Sequence, residues 1–224
     1  MTLSATTPFP SRGLFLVLEG GEGAGKSTQA RFLAEWLEER GIRCRLSREP
    51  GGTPVGEEIR RVLLEHRELA IPSETELLLM LAARAAFVRN VVTPALESGM
   101  VMIADRFEYS TFVYQGVARG LGVEAVRKLN SFATGGVSPD LTVVLDVSSS
   151  VGTERQRREG KERDRIEVEG GGFLERVRMG YRALAEDDPR AEVVEGGGKP
   201  EEVFETIIRI LQARFPELFT PTTG

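Results

Sequence analysis

A single cysteine, a single histidine and only four lysines among 224 residues set the first limits on this chain. Cys44 has no partner for an internal disulfide, which fits a reducing, cytoplasmic setting. It alternates with Arg43 and Arg45 and is expected to be a buried strand residue rather than a nucleophile. One cysteine and one histidine exclude a His/Cys metal site, and His66 lies among charged residues at the end of a predicted helix. General-base chemistry by histidine is therefore not expected. No apolar run approaches the length of a membrane span, so no membrane partner is expected. The net charge of −5 gives no global basic field to attract nucleic acid. Residues 1–13 lack an early positive charge and a long apolar core, so a loose leader is expected rather than a secretory signal. The Pro/Thr-rich residues 215–224 are expected to be a loose tail. No repeat or long Pro/Gly linker divides the chain, and its length predicts one domain over 1–224.

Glycine is plentiful, and its placement carries the strongest signal. Gly20, Gly21, Glu22, Gly23, Ala24, Gly25, Lys26 and Ser27 fit the phosphate-loop pattern GxxxxGK[ST], with Thr28 following. An apolar run over 14–18 leads in and a helical pattern over 27–40 leads out. Strand, glycine turn and helix N-terminus in that order present backbone N–H groups and a helix dipole to an anion. Lys26 is then expected to reach the β- and γ-phosphates of ATP, and the Ser27 hydroxyl to ligate Mg²⁺.

Five β-rich runs, 14–19, 43–48, 100–104, 141–147 and 191–195, alternate with helical patterns. That alternation predicts an α/β fold with a parallel sheet covered on both faces. Ala30, Leu33, Trp36 and Leu37 mark the buried face of the first helix, which Gly41 ends. Further helices are predicted over 55–66, 74–92, 123–133, 173–186 and 200–214, with Pro94 kinking or ending the one before it.

Ligands of such sheets gather beyond the carboxyl ends of the strands. The second strand ends in Arg48 and Glu49, then a Pro-Gly-Gly turn; both side chains are expected to face the phosphate cleft, the alternative being a salt-bridged surface turn. The third ends in Asp105 and Arg106. An aspartate there reaches Mg²⁺ through water and an arginine grips a phosphate, the alternative being a structural ion pair between neighbouring elements. Residues 154–167 carry six basic and five acidic side chains around Gly160. This run reads as an arginine-bearing lid over about 150–170, with a solvated charged face as the alternative. Positioning and charge neutralisation suit transfer of a phosphoryl group to an acceptor that is already an anion.

Several segments together resemble the bacterial thymidylate kinase family, within the nucleoside monophosphate kinases. They are residues 19–29, the Arg-Glu-Pro-Gly-Gly-Thr turn over 48–53, Ala82-Ala83-Arg84, Asp105-Arg106 with Ser110-Thr111, Tyr114-Gln115-Gly116, residues 139–142 and residues 164–167. The resemblance spans about 14–211 and implies a three-layer P-loop kinase fold with a five-stranded parallel sheet and a short lid. It implies the reaction ATP + dTMP → ADP + dTDP with Mg²⁺, and a homodimer to which helix 74–92 contributes. It places Glu22 at the 3′-hydroxyl of the dTMP sugar, Arg48 and Arg106 at the 5′-phosphate, Arg84 at a thymine carbonyl and Thr111 near the ring nitrogen. Tyr114 would crowd the 2′ position, with Ser110 and Gln115 in the same site. The phosphate loop has no second basic residue, as in family members whose catalytic charge sits in the lid. Arg155, Arg157, Arg158, Arg163 and Arg165 are then candidates, with Arg158 and Arg165 favoured. Met80 stands where the family often has a phenylalanine over thymine; it covers the ring less specifically, unless Phe87 compensates or Met80 is core. Phe107 replaces the usual Tyr or His after Asp-Arg. Two rival readings remain: a kinase for uridylate or a deoxynucleoside, and a non-catalytic ATP-binding switch.

Overall fold

Leu14, Leu16 and Leu18 face one way along β1 (Leu14–Gly20), Phe15 and Val17 face the other, and both sets are buried. A strand apolar on both faces belongs inside a sheet covered on both sides, and β1 lies at its centre. With β2 (Cys44–Arg48), β3 (Val101–Asp105), β4 (Leu141–Asp146) and β5 (Ala191–Glu195) it forms an all-parallel sheet of order β2-β3-β1-β4-β5. All five strands fall within a residue of the predicted bounds. The computed structural model describes residues 12–66, 68–158, 160 and 171–219.

The helices, in chain order, are α1 (Lys26–Glu39), α2 (Pro54–Leu64), α3 (Ser73–Phe87), α4 (Thr93–Glu97), α5 (Glu108–Thr111), α6 (Val123–Thr134), α7 (Ser149–Arg158), α8 (Gly171–Glu186), α9 (Pro200–Arg214) and α10 (Pro216–Phe219). Ala30, Leu33 and Leu37 of α1 meet Val203, Ile207 and Leu211 of α9 over the leucine face of β1. Trp36 packs against this cluster, with its ring 5.8 Å from that of Phe219. That contact corrects the loose-tail expectation over residues 215–219, where α10 is helical and Leu218 and Phe219 are buried; residues 220–224 lie outside the described residues.

On the opposite face, Phe15, Val17, Met102 and Ala104 lie under Phe87, Val88, Val91, Val92, Ala95 and Leu96. Of the two alternatives weighed for Pro94, kinking or ending the helix, the ending is ruled out. The helix does not end at Pro94; α3 and α4 are joined by a π-helical turn, Val88–Val92, into one helix, Ser73–Glu97. In that wider turn the Thr93 N–H donates to Val88 O, five residues back, and Pro94 takes an early position of α4, where proline is tolerated. The continuous helix also corrects the expectation that nothing reaches membrane length. Over 25 residues it is long and apolar enough by composition, but its second half, from Phe87 to Leu96, packs its buried apolar side chains on the sheet. A second π-helical stretch, Phe112–Ala118, follows α5 and packs with α6 and α8 into a third cluster holding Tyr109, Tyr114 and Tyr181.

Candidate active site

At the carboxyl ends of β1 and β3 the chain opens a cavity of about 960 Å³, at the upper end of the usual range for small-molecule sites. Glu22 to Thr28 line one end of it, and Asp105 and Arg106 meet them from β3. Gly25, in left-handed backbone (φ 95°), turns the loop into α1. No side chain among the described residues caps α1, and its first turn carries no acid. In contrast, α2 is capped by Thr53 Oγ1, which accepts from Gly56 N at 3.0 Å, and has Glu57 in its first turn. The first N–H groups of α1 are thus left for an external anion. Lys26 is buried and donates to Gly21 O at 2.7 Å, which folds its ammonium over the loop.

Ser27 Oγ donates to Asp105 Oδ2 at 2.5 Å, bringing a hydroxyl and a carboxylate together beside the loop. Two hard oxygen donors next to a phosphate site suit Mg²⁺, which takes one or two protein oxygens and completes its shell with phosphate and water. The described residues hold no cluster of three His, Cys, Asp or Glu that would bind a metal by themselves.

Arg106 has φ 73°, a left-handed conformation that costs a non-glycine residue about 1–3 kcal/mol. Its N–H is held by Leu18 O at 2.9 Å. Its guanidinium donates to Gly20 O, Ser110 Oγ and Tyr181 OH, each at 3.1 Å, and pairs with Glu22. The structural ion pair between neighbouring elements, weighed as the alternative, is present on the arginine: Arg106 pairs with Glu22 of the phosphate loop, while Asp105 accepts from Ser27.

The turn after β2 supplies another wall. Arg48 and Glu49 both line the cavity but pair elsewhere, Arg48 with Glu57 at 3.0 Å and Glu49 with Arg84 at 2.8 Å. Arg84 is 3% exposed. It donates from Nε to Glu49 Oε2, from Nη1 to Asn130 Oδ1 at 2.9 Å and from Nη2 to Phe107 O at 2.8 Å, and it lies over the Phe107 ring. A guanidinium has five N–H donors, so Arg84 is oriented with donors to spare. Burial pushes the Glu49 carboxyl up to about 7, against the pull of Arg84, with Glu19 and Glu108 adding to the rise. Met80, Thr111, Tyr114 and Gln115 complete this side of the cavity. Gln115 Nε2 donates to the buried Glu76 at 2.9 Å. Phe87, the suggested substitute for an aromatic over the base, instead lies in the core behind Gly52.

Helix α7 closes the other side. Gly23 (φ 68°) and Gly152 meet backbone to backbone: a Cβ on Gly23 would lie 2.2 Å from Gly152 O, and one on Gly152 the same distance from Glu22 O. Arg155 donates to Gly196 O at 2.9 Å and reaches Gly23 O, Gly197 O and Gly198 O at 3.3–3.4 Å. It thereby joins the phosphate loop to the turn after β5 and lines the cavity. Arg158, one of the two favoured arginines, is 76% exposed, pairs with Glu154 at 2.9 Å and does not line the cavity. Arg165, the other, and Arg163 lie outside the described residues, as does most of the predicted lid.

Nearly every expected site residue therefore meets at one cavity. Gly20 and Gly21 contribute carbonyls to Arg106 and Lys26 rather than lining it. Two roles were missed from sequence: Glu19, which lies in the 19–29 motif but was given no part in the site, and Tyr181, which belongs to no motif; Tyr181 accepts from Arg106, 75 positions away, and donates to Glu19.

A family model described as thymidylate kinase matches residues 18–207. The thymidylate kinase of Kosmotoga olearia is 46% identical over 197 residues, covering 88% of this chain and 94% of that protein. That of Symbiobacterium thermophilum is 44% identical, covering 92% and 96%. The crystal structure of thymidylate kinase from Ehrlichia chaffeensis matches with a TM-score of 0.75 at 30% identity, covering 89% of this chain and 99% of that one.

Proposed function

This chain belongs to the thymidylate kinase family, and from that premise we propose how its own residues carry the family's reaction. The enzyme transfers the γ-phosphoryl group of ATP to the 5′-phosphate of dTMP. An acceptor oxygen forms a bond to the γ-phosphorus, the bond to the β,γ-bridging oxygen breaks, and its electron pair leaves with ADP. The acceptor is already an anion, so no base must be created. His66 fits that economy, because it lies exposed beyond the end of α2, paired with Glu68.

The start of α1 and Lys26 hold the ATP phosphates. Arg106 and Arg48 grip the acceptor phosphate, and Glu22, already fixed by Arg106, accepts from the 3′-hydroxyl of the sugar. Arg84, locked by three acceptors, gives a spare N–H to a thymine carbonyl, with Thr111 and Gln115 near the ring edge. Met80 covers the ring, and Tyr114 fills the space a 2′-hydroxyl would need. Ser27 and Asp105 would hold Mg²⁺, which supplies charge neutralisation across the phosphates. Arg155 stiffens the loop that receives ATP. Arg158 and Arg165 are the proposed lid arginines for the migrating group. The Arg158–Glu154 pair is worth only about 0.3–0.5 kcal/mol at a helix surface, so it gives up its arginine easily. The enzyme is proposed to be a cytoplasmic homodimer without nucleic-acid or membrane partners; exposed Leu78 on α3 and Leu129 and Phe132 on α6 offer apolar side chains for pairing.

The observation that carries the reading is that one cavity holds a phosphate loop and, facing it, an acceptor-side cation in Arg106. ADP release from ATP is expected to depend on added dTMP and to stop when divalent metal is chelated. Release that ignores dTMP would contradict the assignment.

A further inference from the structure

Glu19, the last side chain of β1 before the phosphate loop, is wholly buried and lies behind the catalytic residues. Its Oε1 accepts from the N–H groups of Phe107 at 2.8 Å and Ser110 at 3.0 Å. Its Oε2 accepts from Ser110 Oγ at 2.7 Å and from Tyr181 OH at 3.0 Å. The two hydroxyls lie 2.9 Å apart, and each is 3.1 Å from Arg106 Nη1.

Proton counting gives this cluster a direction. A carboxylate only accepts, and a guanidinium only donates. Ser110 and Tyr181 have one hydroxyl proton each, and both stand between the acceptor and the donor. Their protons point toward Glu19 or toward each other, so their lone pairs are left for Arg106. Burial, and then the charge of Glu19, pushes the Tyr181 hydroxyl well above the ordinary tyrosine range, so it keeps its proton. Glu19 acts on the backbone as well: by holding the Phe107 and Ser110 N–H groups it fixes the chain immediately after the left-handed Arg106.

We infer that Glu19 and Tyr181 are positioning residues for the acceptor phosphate, acting through Ser110 to hold the Arg106 guanidinium where that phosphate docks. This rests on the reading of Arg106 given above. It also gives α8 a role in acceptor binding, because Tyr181 stands on α8, the helix that follows the predicted lid. The arrangement ties the dTMP side of the cleft to the far stem of the lid, whereas Arg155 on α7 ties the near stem to the phosphate loop.

The test is Tyr181→Phe, which keeps the buried ring and deletes one acceptor for Arg106. Losing a hydrogen bond to a charged group weakens binding by roughly tenfold. The expected result is a dTMP KM raised by about that factor, with the ATP KM within about twofold and the melting temperature within about 3 °C of wild type. Glu19→Gln should shift the dTMP KM in the same direction. Tyr109→Phe is the control: Tyr109 is an equally buried tyrosine whose hydroxyl meets Asp188 at 3.0 Å, away from the cleft, and its loss should leave the dTMP KM unchanged. An unchanged dTMP KM in Tyr181→Phe, or parallel rises in both KM values, overturns the inference. Wild-type turnover of dTMP is measured in the same series; its absence would instead sink the functional reading.

Discussion

Glu49 lies 4% exposed in the wall of the cleft, with Oε2 on Arg84 and with no hydrogen-bond partner for Oε1 among the described residues. Its carboxyl, pushed up to about 7 chiefly by burial, binds a proton more tightly in the folded chain than in the unfolded one. The sign follows from linkage. The stabilisation from this group is full below its unfolded value of 4.5 and is lost as pH rises through about 7. The shift amounts to something on the order of 3 kcal/mol at full effect. Glutamine has no proton to lose, so in Glu49→Gln the falling component of thermal stability across that window should disappear. Identical melting-temperature profiles against pH in variant and wild type would contradict this. Asp146 works in the opposite sense. Arg178 and Arg182 hold its carboxyl below the usual range, so its contribution is lost as pH falls. At this scale the sequence was informative where a residue type and its place in a motif suffice, as for Lys26, Ser27 and Arg106. It did not reveal that Arg84 is locked, because Phe107, Glu49 and Asn130 lie 23, 35 and 46 positions away and meet it only after folding.

The same divide appears among the elements. The strands were legible because each is a short apolar run in a fixed alternation with helices, and burial on both faces leaves such runs no other place. The π-helical turns were not legible: nothing in their composition marks an added residue per turn, and the proline that suggested a break is absorbed just after one of them. The motif over 139–142 proves to be a folding device. Asp140 accepts from Phe15 N at 2.8 Å and pairs with Arg12, at the amino-terminal edge of the sheet, away from the cleft. Helix α7 reveals what glycine does for the phosphate loop, since Gly152 allows its backbone to meet that of Glu22 and Gly23. In Gly152→Ala the new Cβ would fall 2.2 Å from Glu22 O, and backbone on both sides has little room to yield. The expected outcome is a loss of about 1–3 kcal/mol in stability with a raised ATP KM and a smaller change in the dTMP KM. Unaltered stability and ATP KM would show that α7 does not buttress the loop.

For the molecule as a whole, topology does the assembling. Strand order β2-β3-β1-β4-β5 puts the ends of β1 and β3 side by side, so residues from 22 to 28 and from 105 to 115 share a cavity with the turn at 48–50. The sequence placed each segment at a strand end facing one cleft; which ends are neighbours needed the sheet order. If α3 and α6 form the homodimer face, Phe132, 90% exposed on α6, is the side chain most in need of cover. Light scattering should then read twice the 24.6 kDa chain mass for wild type and a lower value for Phe132→Asp. A monomeric wild type would contradict that proposal without touching the catalytic one. The central claim is the acceptor: a cavity that reads a thymine ring through Arg84, a deoxyribose through Glu22 and Tyr114, and a 5′-phosphate through Arg106. Steady-state turnover with ATP on dTMP, dUMP, UMP, AMP and thymidine tests it most directly. The account predicts that dTMP leads the series, with UMP disfavoured by its 2′-hydroxyl and thymidine by its missing phosphate; equal rates on UMP and dTMP would contradict it.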